Sequence, residues 1–432
     1  MMLKTNLKKE NNHFDFRNDI LHVEELSVVD LAKATKTPFY VYSAGALEDS
    51  YNALSSSLKG LNHSIYYSVK SNSNLAVLRV LTLLGSGMDV VSGGEYLRAR
   101  KVGVAGEKIV FSGVGKTSEE MELALTQGIR QFNVESVPEI IQLNSIAARL
   151  GKIAPVSIRV NPDVNARTHE KIMTGKSENK FGIPITQAEE AYNMAGDLRN
   201  ISIVGIDVHI GSQITDLTPF KKAFQKIGEL VGLLRNLGHE IRRVDIGGGL
   251  GISYLKNRKN PISPNDFSKM LASIFGGMDL EIQIEPGRYI SGNSGLLITS
   301  VIYMKEGTDH NFLIIDAGMN DLMRPALYDA SHEFIPVLSS SESEFGIEVN
   351  VVGPICESSD TFSRKTVLPR LLAGDLLAIY SAGAYGAVMA SEYNTRPLIP
   401  ELLVKGNSSS IIRARPDIFE TINRDQIPYW LR

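Results

Sequence analysis

Eight strand-like segments alternate with helix-like segments between residues 63 and 285, and this alternation constrains the fold more than any other feature. Each predicted strand is a short run rich in β-branched or aromatic residues, and apolar residues at helical spacing follow most of them. The strands are predicted at 63–70, 87–92, 108–112, 131–135, 155–162, 203–210, 243–246 and 280–285. Eight such units over about 250 residues favour a closed (β/α)8 barrel over a doubly wound open sheet, which rarely reaches eight regular units.

The pattern changes after about residue 290, where strand-like segments follow one another with few helices between them. They lie at 296–303, 312–316, 348–352, 376–381, 397–404 and 411–415. Because 432 residues are too many for one ordinary hydrophobic core, two domains are expected. The sequence predicts a TIM-like barrel over residues 37–290, an all-β sandwich or barrel domain over 291–432, and an N-terminal segment, 1–36, that packs with the β domain.

The composition excludes several classes of function. A net charge of −3 gives no indication of binding to nucleic acid or to an anionic membrane surface. The single cysteine, Cys356, excludes an intramolecular disulfide and a multi-cysteine metal site. No run approaches the roughly 18 apolar residues that would span a bilayer, and the N-terminus has no apolar signal region. We therefore expect a cytoplasmic protein.

Polar residues are concentrated where the chemistry of a barrel is found, at the carboxyl ends of the predicted strands. Six of the eight ends carry an ionisable group. In chain order the polar residues and turns are Lys70, Asp89 with Ser92, Ser112, Glu135, Arg159 with Asn161, His209 with Ser212, Gly247 to Gly249, and Glu285 with Arg288. A purely structural barrel gives no reason for this concentration, so we expect an active site here.

Lys70 is the least usual of these residues because it ends a strand that is predicted to be mostly buried. Burying an ammonium group is costly unless something neutralises it, and desolvated lysines are the amines that form Schiff bases. By itself this signal is weak, since a lysine at a strand end is more often a solvated edge residue. Whether Lys70 is a reactive amine therefore has to be judged from the residues at the other strand ends.

The ends of the last three predicted strands carry a histidine ring, a glycine turn that could bind an anion, and a carboxylate. Gly247-Gly248-Gly249 is either a tight turn or a turn whose backbone N–H groups hold a phosphate. His209 could be a metal ligand, a general base or a stacking partner, but no second ligand lies at helical spacing, so no metal site is expected. Glu285 could keep a pyridine nitrogen protonated. With a lysine amine, these groups are those that pyridoxal 5'-phosphate (PLP) requires.

Ten segments, taken together and in this order, resemble the fold-type III PLP-dependent decarboxylases over residues 38 to 395. They are YSVKSN at 67–72, DVVSGGE at 89–95, NKFGI at 179–183, HIGSQ at 209–213, GGG at 247–249, EPGR at 285–288, DAGMN at 316–320, RPALY at 324–328, GPICESSD at 353–360 and GAYG at 383–386. One departure is Ser71, where the family more often has alanine.

The resemblance implies a role for each matching residue. Lys70 would bind the cofactor covalently, His209 would stack on its ring, and Cys356 would donate a proton. The residues implied in cofactor binding are Lys70, Asp89, His209, Ser212, Gly247, Gly248, Gly249, Glu285, Pro286, Gly287, Arg288 and Tyr385. Those implied in substrate binding are Arg288, Arg324, Tyr328, Glu357 and Tyr385.

The resemblance also implies an activity and an assembly. The expected reaction is decarboxylation of meso-2,6-diaminopimelate to L-lysine and carbon dioxide, in a homodimer in which Cys356 and Glu357 enter the active site of the other subunit. A decarboxylase of ornithine, arginine or carboxynorspermidine is the main alternative. A PLP-dependent racemase would not need the Cys356-Glu357 segment, and a silent homologue that binds a partner would not need Lys70, Cys356 and Tyr385.

Overall fold

The computed structural model describes residues 13–165, 174–175, 180–255, 261–339 and 346–431. These residues form two compact units. The barrel unit contains residues 48–253 and 261–290, and the β unit contains residues 13–47, 254–255 and 291–431. Residues 1–12 of the expected N-terminal segment and Asn179 of the NKFGI segment lie outside the described residues.

Eight parallel strands close into a barrel, which confirms the predicted fold. They are His63–Ser68, Gly87–Val90, Ile109–Phe111, Gln131–Val134, Ala154–Asn161, Ile201–Asp207, Arg243–Asp245 and Glu281–Ile284. Each strand pairs in parallel with the next, and the last strand pairs with the first through Ile282 opposite His63. A two-residue strand, Ile183–Pro184, also pairs with Ala154–Asn161. Closure brings the carboxyl ends of all eight strands to one mouth.

The helices of the barrel unit begin where the sequence supplies caps. Ser92 accepts a hydrogen bond from the Glu95 backbone N–H at the start of a helix, and Thr117 forms a reciprocal capping box with Glu120. The strand-end hydroxyl of Ser92 therefore serves helix formation. The helices are Ala44–Ser57, within which the two units divide, then Leu75–Leu83, Gly93–Lys101, Ser118–Thr126, Val137–Arg149, Ala188–Gly196, Leu217–Asn236, Pro264–Phe275 and Arg288–Ser291.

The β unit is built around a large sheet with three short helices, Val28–Thr35, Arg324–Tyr328 and Ile418–Ile422. The main path of this sheet runs through Thr361–Leu368, Ile347–Val352, Asn311–Ile315, Gly295–Lys305, Phe39–Ser43, Glu401–Lys405 and Ser408–Arg413. Leu376–Ile379 pairs with both Gly295–Lys305 and Phe334–Pro336. Phe14–Arg17, Ile20–Val23 and Leu26–Ser27 form a small separate sheet. Its Leu21 and Val23 are fully buried in the same core as Phe39 and Leu296.

One part of the chain lies in a different unit from the one that the sequence predicts. The sequence assigns residues from 37 onward to the barrel, whereas residues 37–47 belong to the β unit. The reason is the strand Phe39–Ser43, which pairs with Gly295–Lys305 and Glu401–Lys405. All five of its residues are buried, so its sequence suits the interior of either sheet. The strands Phe334–Pro336 and Thr361–Leu368 are also missing from the prediction.

Within the part of the chain that the structure describes, the longest helices lack a continuous apolar stretch of the length that a bilayer crossing needs.

Candidate active site

Lys70 lies two residues beyond the end of its strand, in the short 3-10 turn Val69–Ser71. Its Nζ donates to Asp89 Oδ2 at 3.1 Å, and Ser68 Oγ donates to the same oxygen at 2.7 Å. Asp89 is fully buried, whereas 39% of the Lys70 side chain is exposed. The carboxylate therefore fixes and neutralises an ammonium group that a ligand can still reach, which is the environment that a reactive lysine needs.

The segment after the last barrel strand packs directly on the Lys70 turn. The Ser68 backbone N–H donates to the Pro286 carbonyl at 3.2 Å. A Cβ atom added to Gly287 would lie 3.0 Å from the Cβ of Ser71. Ser71 Oγ in turn lies 2.8 Å from Tyr67 Oη and from the Ser68 carbonyl. The structure therefore accommodates serine at the position where the family more often has alanine.

Three buried acids face one another inside the barrel mouth. One carboxylate oxygen from each of Asp207, Asp245 and Glu285 lies within 4.8 Å of the others. Asn133 Nδ2 lies 3.2 Å from both Asp245 Oδ2 and Glu285 Oε1, and Ser112 Oγ donates to the same Glu285 oxygen at 3.2 Å. Asn133 and Ser112 thereby fix the orientation of the Glu285 carboxyl group.

Burial dominates the ionisation of these acids. It raises the pKa of Glu285 well above its usual value, and the charge of Asp245 raises it further. Burial together with the charge of Asp207 raises the pKa of Asp245 to about 8. The pKa of Asp207 is also well above normal because of burial, although Arg159 opposes the shift. The cluster would therefore be stabilised by a cationic group, such as a protonated ring nitrogen, next to Glu285.

His209 is held as a neutral ring. Its Nδ1 accepts a hydrogen bond from the Gly248 backbone N–H at 3.2 Å, which leaves the ring proton on Nε2. Burial lowers the pKa of His209 well below normal, and the positive charges of Arg159 and Lys70 act in the same direction. The ring therefore remains uncharged at neutral pH, which suits contact with an aromatic cofactor better than general-acid chemistry.

The glycine turn leaves no room for side chains. Gly247 has φ of +64°, and a Cβ atom there would lie 2.7 Å from His209 Nδ1. A Cβ atom on Gly248 would lie 2.3 Å from the Glu285 carbonyl oxygen. Arg288 is buried, and its Nη2 and Nε lie 3.1 Å and 3.4 Å from Ser212 Oγ. A guanidinium and a hydroxyl thus accompany this close-packed backbone, as an anion site requires.

The first testable prediction concerns Glu95, whose carboxylate accepts from the Val91 backbone N–H at 2.9 Å. Burial raises its pKa to about 7. The unfolded chain loses this proton near pH 4.3 and the folded chain only near pH 7, so the group destabilises the fold increasingly as pH rises through that window. Glu95→Gln keeps the acceptor and is expected to stabilise the protein by about 3 to 4 kcal/mol at pH 8.

The measurement is chemical denaturation of wild type and Glu95→Gln at pH 5 and pH 8. The difference should be only about 1 kcal/mol at pH 5, where Glu95 is ionised in the unfolded chain but still neutral in the folded state, and it should grow towards pH 8. A stability difference that is the same at both pH values would contradict the raised pKa. Glu107→Gln, which removes a carboxylate from an exposed position, controls for general effects of charge.

In the β unit, the predicted substrate residues Arg324 and Tyr328 lie in one short helix, Arg324–Tyr328. Arg324 is buried, and Tyr328 is partly exposed. Arg324 Nη1 lies 2.8 Å from His332 Nε2, and its guanidinium carbon lies 4.5 Å from the centre of the Tyr254 ring. The guanidinium therefore has contacts on both its edge and its face.

Cys356 is an exposed free thiol in a loop that Asp360 organises. The two carboxylate oxygens of Asp360 accept from the backbone N–H groups of Met319 and Ile355, each at 2.7 Å. Glu357 is also exposed and accepts hydrogen bonds from Tyr393 and Ser359, which lower its pKa. The loop thus presents a thiol and an ionised carboxylate to the solvent side of the β unit.

Tyr385 is partly buried and has φ of +56°, a left-handed conformation that is uncommon for tyrosine. The following residue is Gly386, at which a Cβ atom would lie 2.7 Å from Tyr40 Oη. The GAYG segment is therefore closely packed at Gly386 and strained at Tyr385, and strained backbone is common at functional sites.

The structure brings most of the predicted barrel residues together and adds some that sequence reasoning missed. Lys70, Asp89, His209, Ser212, the glycine turn, Glu285, Pro286, Gly287 and Arg288 all lie in the barrel unit at the strand ends. Asn133, Asp207 and Asp245 were not predicted. Their signal was available, because each lies two residues before a strand-end position that was considered, and alternate residues of a barrel strand face its interior.

These features define a class of protein, a barrel enzyme that binds PLP. The cofactor fits the residues present, because PLP needs an accessible amine, a carboxylate beside its ring nitrogen and a close-packed backbone for its phosphate. Lys70 with Asp89 would supply the first, Glu285 would supply the second, and the close-packed turn at Gly247 and Gly248 would supply the third.

Comparisons with known proteins agree with this class. Residues 44–292 match the family model described as pyridoxal-dependent decarboxylase, pyridoxal binding domain. The chain is 43% identical over 421 residues to a diaminopimelate decarboxylase of Zymomonas mobilis. The aligned region covers 97% of this chain and 99% of that protein. The chain belongs to the pyridoxal-dependent decarboxylase family.

Solved structures show the same relationship. A diaminopimelate decarboxylase from Helicobacter pylori, complexed with L-lysine, superposes with a TM-score of 0.88 at 42% identity and covers 92% of this chain and 98% of that one. A diaminopimelate decarboxylase from M. jannaschii, also in complex with L-lysine, superposes with a TM-score of 0.93 at 36% identity and covers 98% and 99%. Both units of this chain therefore have counterparts in decarboxylases of known structure.

Proposed function

We propose that this chain decarboxylates meso-2,6-diaminopimelate to L-lysine and carbon dioxide with PLP as its cofactor. The observation that carries the proposal is the full-length similarity to diaminopimelate decarboxylases, together with a barrel mouth that holds Lys70, Glu285 and the glycine turn. This reaction would be the last step of lysine formation from diaminopimelate, and its place would be the cytoplasm.

The barrel residues hold and orient the cofactor. Lys70 would bind it covalently, and Asp89 would hold the Lys70 amine in place at the barrel mouth. Glu285 would pair with the ring nitrogen, His209 would lie against the ring, and Tyr385 would be a further contact of the cofactor. The phosphate would be held by Ser212, by Gly247 to Gly249, and by the backbone of Pro286, Gly287 and Arg288.

Bound PLP supplies an electron sink for the electron pair that remains when a carboxylate leaves as carbon dioxide. A protonated ring nitrogen beside Glu285 would strengthen that sink, and its positive charge would offset the burial that raises the pKa of Glu285. The Cys356 thiol would donate a proton to the carbon that has lost its carboxylate. The substrate thereby loses one carbon dioxide and gains one proton, which gives L-lysine.

Selectivity depends on the distal end of the substrate, which carries both a carboxylate and an ammonium group. An arginine fork pairs with a carboxylate through two hydrogen bonds, so Arg324 and Arg288 suit the distal carboxylate, with Tyr328 as a further donor. The ionised Glu357 suits the distal ammonium. Ornithine has no distal carboxylate, so two arginines facing its ammonium would repel it.

The active unit is proposed to be a homodimer with shared active sites. Cys356 and Glu357 of one subunit would enter the barrel site of the other. The proposal is supported by the exposure of both residues in a loop whose backbone N–H groups donate to Asp360, since an exposed thiol and carboxylate are accessible to a second subunit.

The test of the function is carbon dioxide release from meso-diaminopimelate, ornithine and arginine, measured side by side with and without PLP. We expect release from meso-diaminopimelate alone, and only with the cofactor. Faster release from ornithine or arginine would transfer the proposal to the alternative decarboxylase, and release that is independent of PLP would overturn it.

A second prediction tests whether Arg324 binds the distal carboxylate of the substrate. Arg324→Lys keeps the positive charge and loses the planar fork, so we expect kcat/KM for meso-diaminopimelate to fall by about 10² to 10³-fold. PLP absorbance should be unchanged. Arg364→Ala, at an exposed position of the strand Thr361–Leu368, is the matched control and should behave as wild type. An unchanged kcat/KM in Arg324→Lys would remove Arg324 from the substrate site.

A further inference from the structure

His332 lies between the predicted substrate arginine and the backbone of a neighbouring strand end. Its Nε2 is 2.8 Å from Arg324 Nη1, and its Nδ1 is 2.8 Å from the Tyr380 carbonyl oxygen. The histidine is buried, and so is Arg324. No motif in the sequence singled out His332, which follows the RPALY segment by four residues.

The two contacts determine where the ring proton lies. A guanidinium can only donate hydrogen bonds, so Nε2 must accept from Arg324. A backbone carbonyl can only accept, so Nδ1 must carry the proton and donate to Tyr380. His332 is therefore a neutral ring in one tautomer, and its only ring acceptor is used to hold the guanidinium.

The surroundings keep this ring in one place. The Tyr380 backbone N–H donates to the Glu333 carbonyl at 2.9 Å, which continues the pairing of Phe334–Pro336 with Leu376–Ile379. The Tyr254 ring packs edge-on against the His332 ring with 5.2 Å between ring centres, and the same tyrosine lies under the guanidinium of Arg324. The His332 imidazole therefore connects Arg324 to the paired strands Phe334–Pro336 and Leu376–Ile379.

We propose that His332 is a positioning residue that orients the Arg324 guanidinium for the carboxylate that the substrate keeps. This inference rests on the proposed function. Decarboxylation removes one carboxylate of meso-diaminopimelate and leaves the other on L-lysine, so the oriented arginine acts on substrate and product alike. A pre-oriented fork forms both of its hydrogen bonds to a carboxylate with less loss of conformational freedom.

Two substitutions separate the two hydrogen bonds of the ring. His332→Asn places an amide donor near the position of Nδ1, so the bond to Tyr380 is kept and the acceptor for Arg324 is lost. His332→Gln places an amide oxygen near the position of Nε2, so the acceptor is kept. Each variant is compared with wild type, with PLP bound, for the KM and kcat of meso-diaminopimelate and for inhibition by L-lysine.

We expect His332→Asn to raise KM and the inhibition constant of L-lysine by about tenfold to a hundredfold, because a buried charged donor loses its acceptor. The kcat and the PLP absorbance should remain near wild type, and His332→Gln should restore most of both binding constants. Equal KM values in the two variants, or equal losses of cofactor or folding in both, would overturn the inference. Failure of wild type itself to release carbon dioxide from meso-diaminopimelate would instead overturn the proposed function and this inference with it.

Discussion

Replacing Lys70 with alanine is expected to abolish the visible absorbance of lysine-bound PLP and to lower kcat by about 10⁴-fold or more, as the removal of a covalent catalytic group does. The fold should survive, because the Lys70 side chain is partly exposed and its loss leaves no apolar cavity. Asp89 would then keep its hydrogen bond from Ser68 Oγ but lose the ammonium that neutralises it.

Lys101→Ala is the matched control for this prediction. Lys101 is an exposed residue at the end of the helix Gly93–Lys101, so its removal changes the net charge equally without touching the barrel mouth. Wild-type absorbance and turnover are expected in this variant. A normal PLP band in Lys70→Ala would assign the covalent bond to another amine.

Replacing Cys356 with alanine is expected to lower kcat by about 10² to 10⁴-fold, the usual contribution of a positioned proton donor. PLP absorbance and KM should change little, because the thiol is exposed and the loop is held by Asp360 rather than by Cys356. Ser358→Ala, an exposed neighbour in the same loop, is the control. A wild-type kcat in Cys356→Ala would assign the proton to another group.

Mixing the two inactive variants tests whether active sites are shared. In a dimer of one Lys70→Ala and one Cys356→Ala subunit, one site would have both residues intact and the other would have neither. Random mixing makes half of the dimers mixed, so activity should return to about a quarter of wild type. Without shared sites every site lacks one residue, and no activity should return after dissociation and reassociation of the subunits.

The barrel could be predicted from the sequence because its strands and helices alternate with two distinct periods. Lys70, His209 and Glu285 could then be predicted to lie at one mouth, since each is at a strand end and closure of the barrel brings all eight ends together. Local patterns and one topological rule are sufficient for these residues, because closure of the barrel determines which residues are their neighbours.

Other features depend on pairings that local patterns do not encode. Nothing in the buried strand Phe39–Ser43 says which sheet it joins, because its residues are buried on both faces. The strand Thr361–Leu368 was missed because the polar Ser363, Arg364 and Lys365 interrupt its apolar pattern. The contact of Arg324 with His332 depends on the path of a loop, which side-chain spacing cannot give.

The central claim is that the Lys70 amine, held by a buried carboxylate at the barrel mouth, carries the cofactor. The most direct measurement is borohydride reduction of the PLP-bound wild-type protein, followed by proteolysis and mass spectrometry of the peptides. We expect the phosphopyridoxyl group on the peptide that contains Lys70. Labelling of a different lysine, or no labelled peptide from a protein that has bound PLP, would contradict the claim.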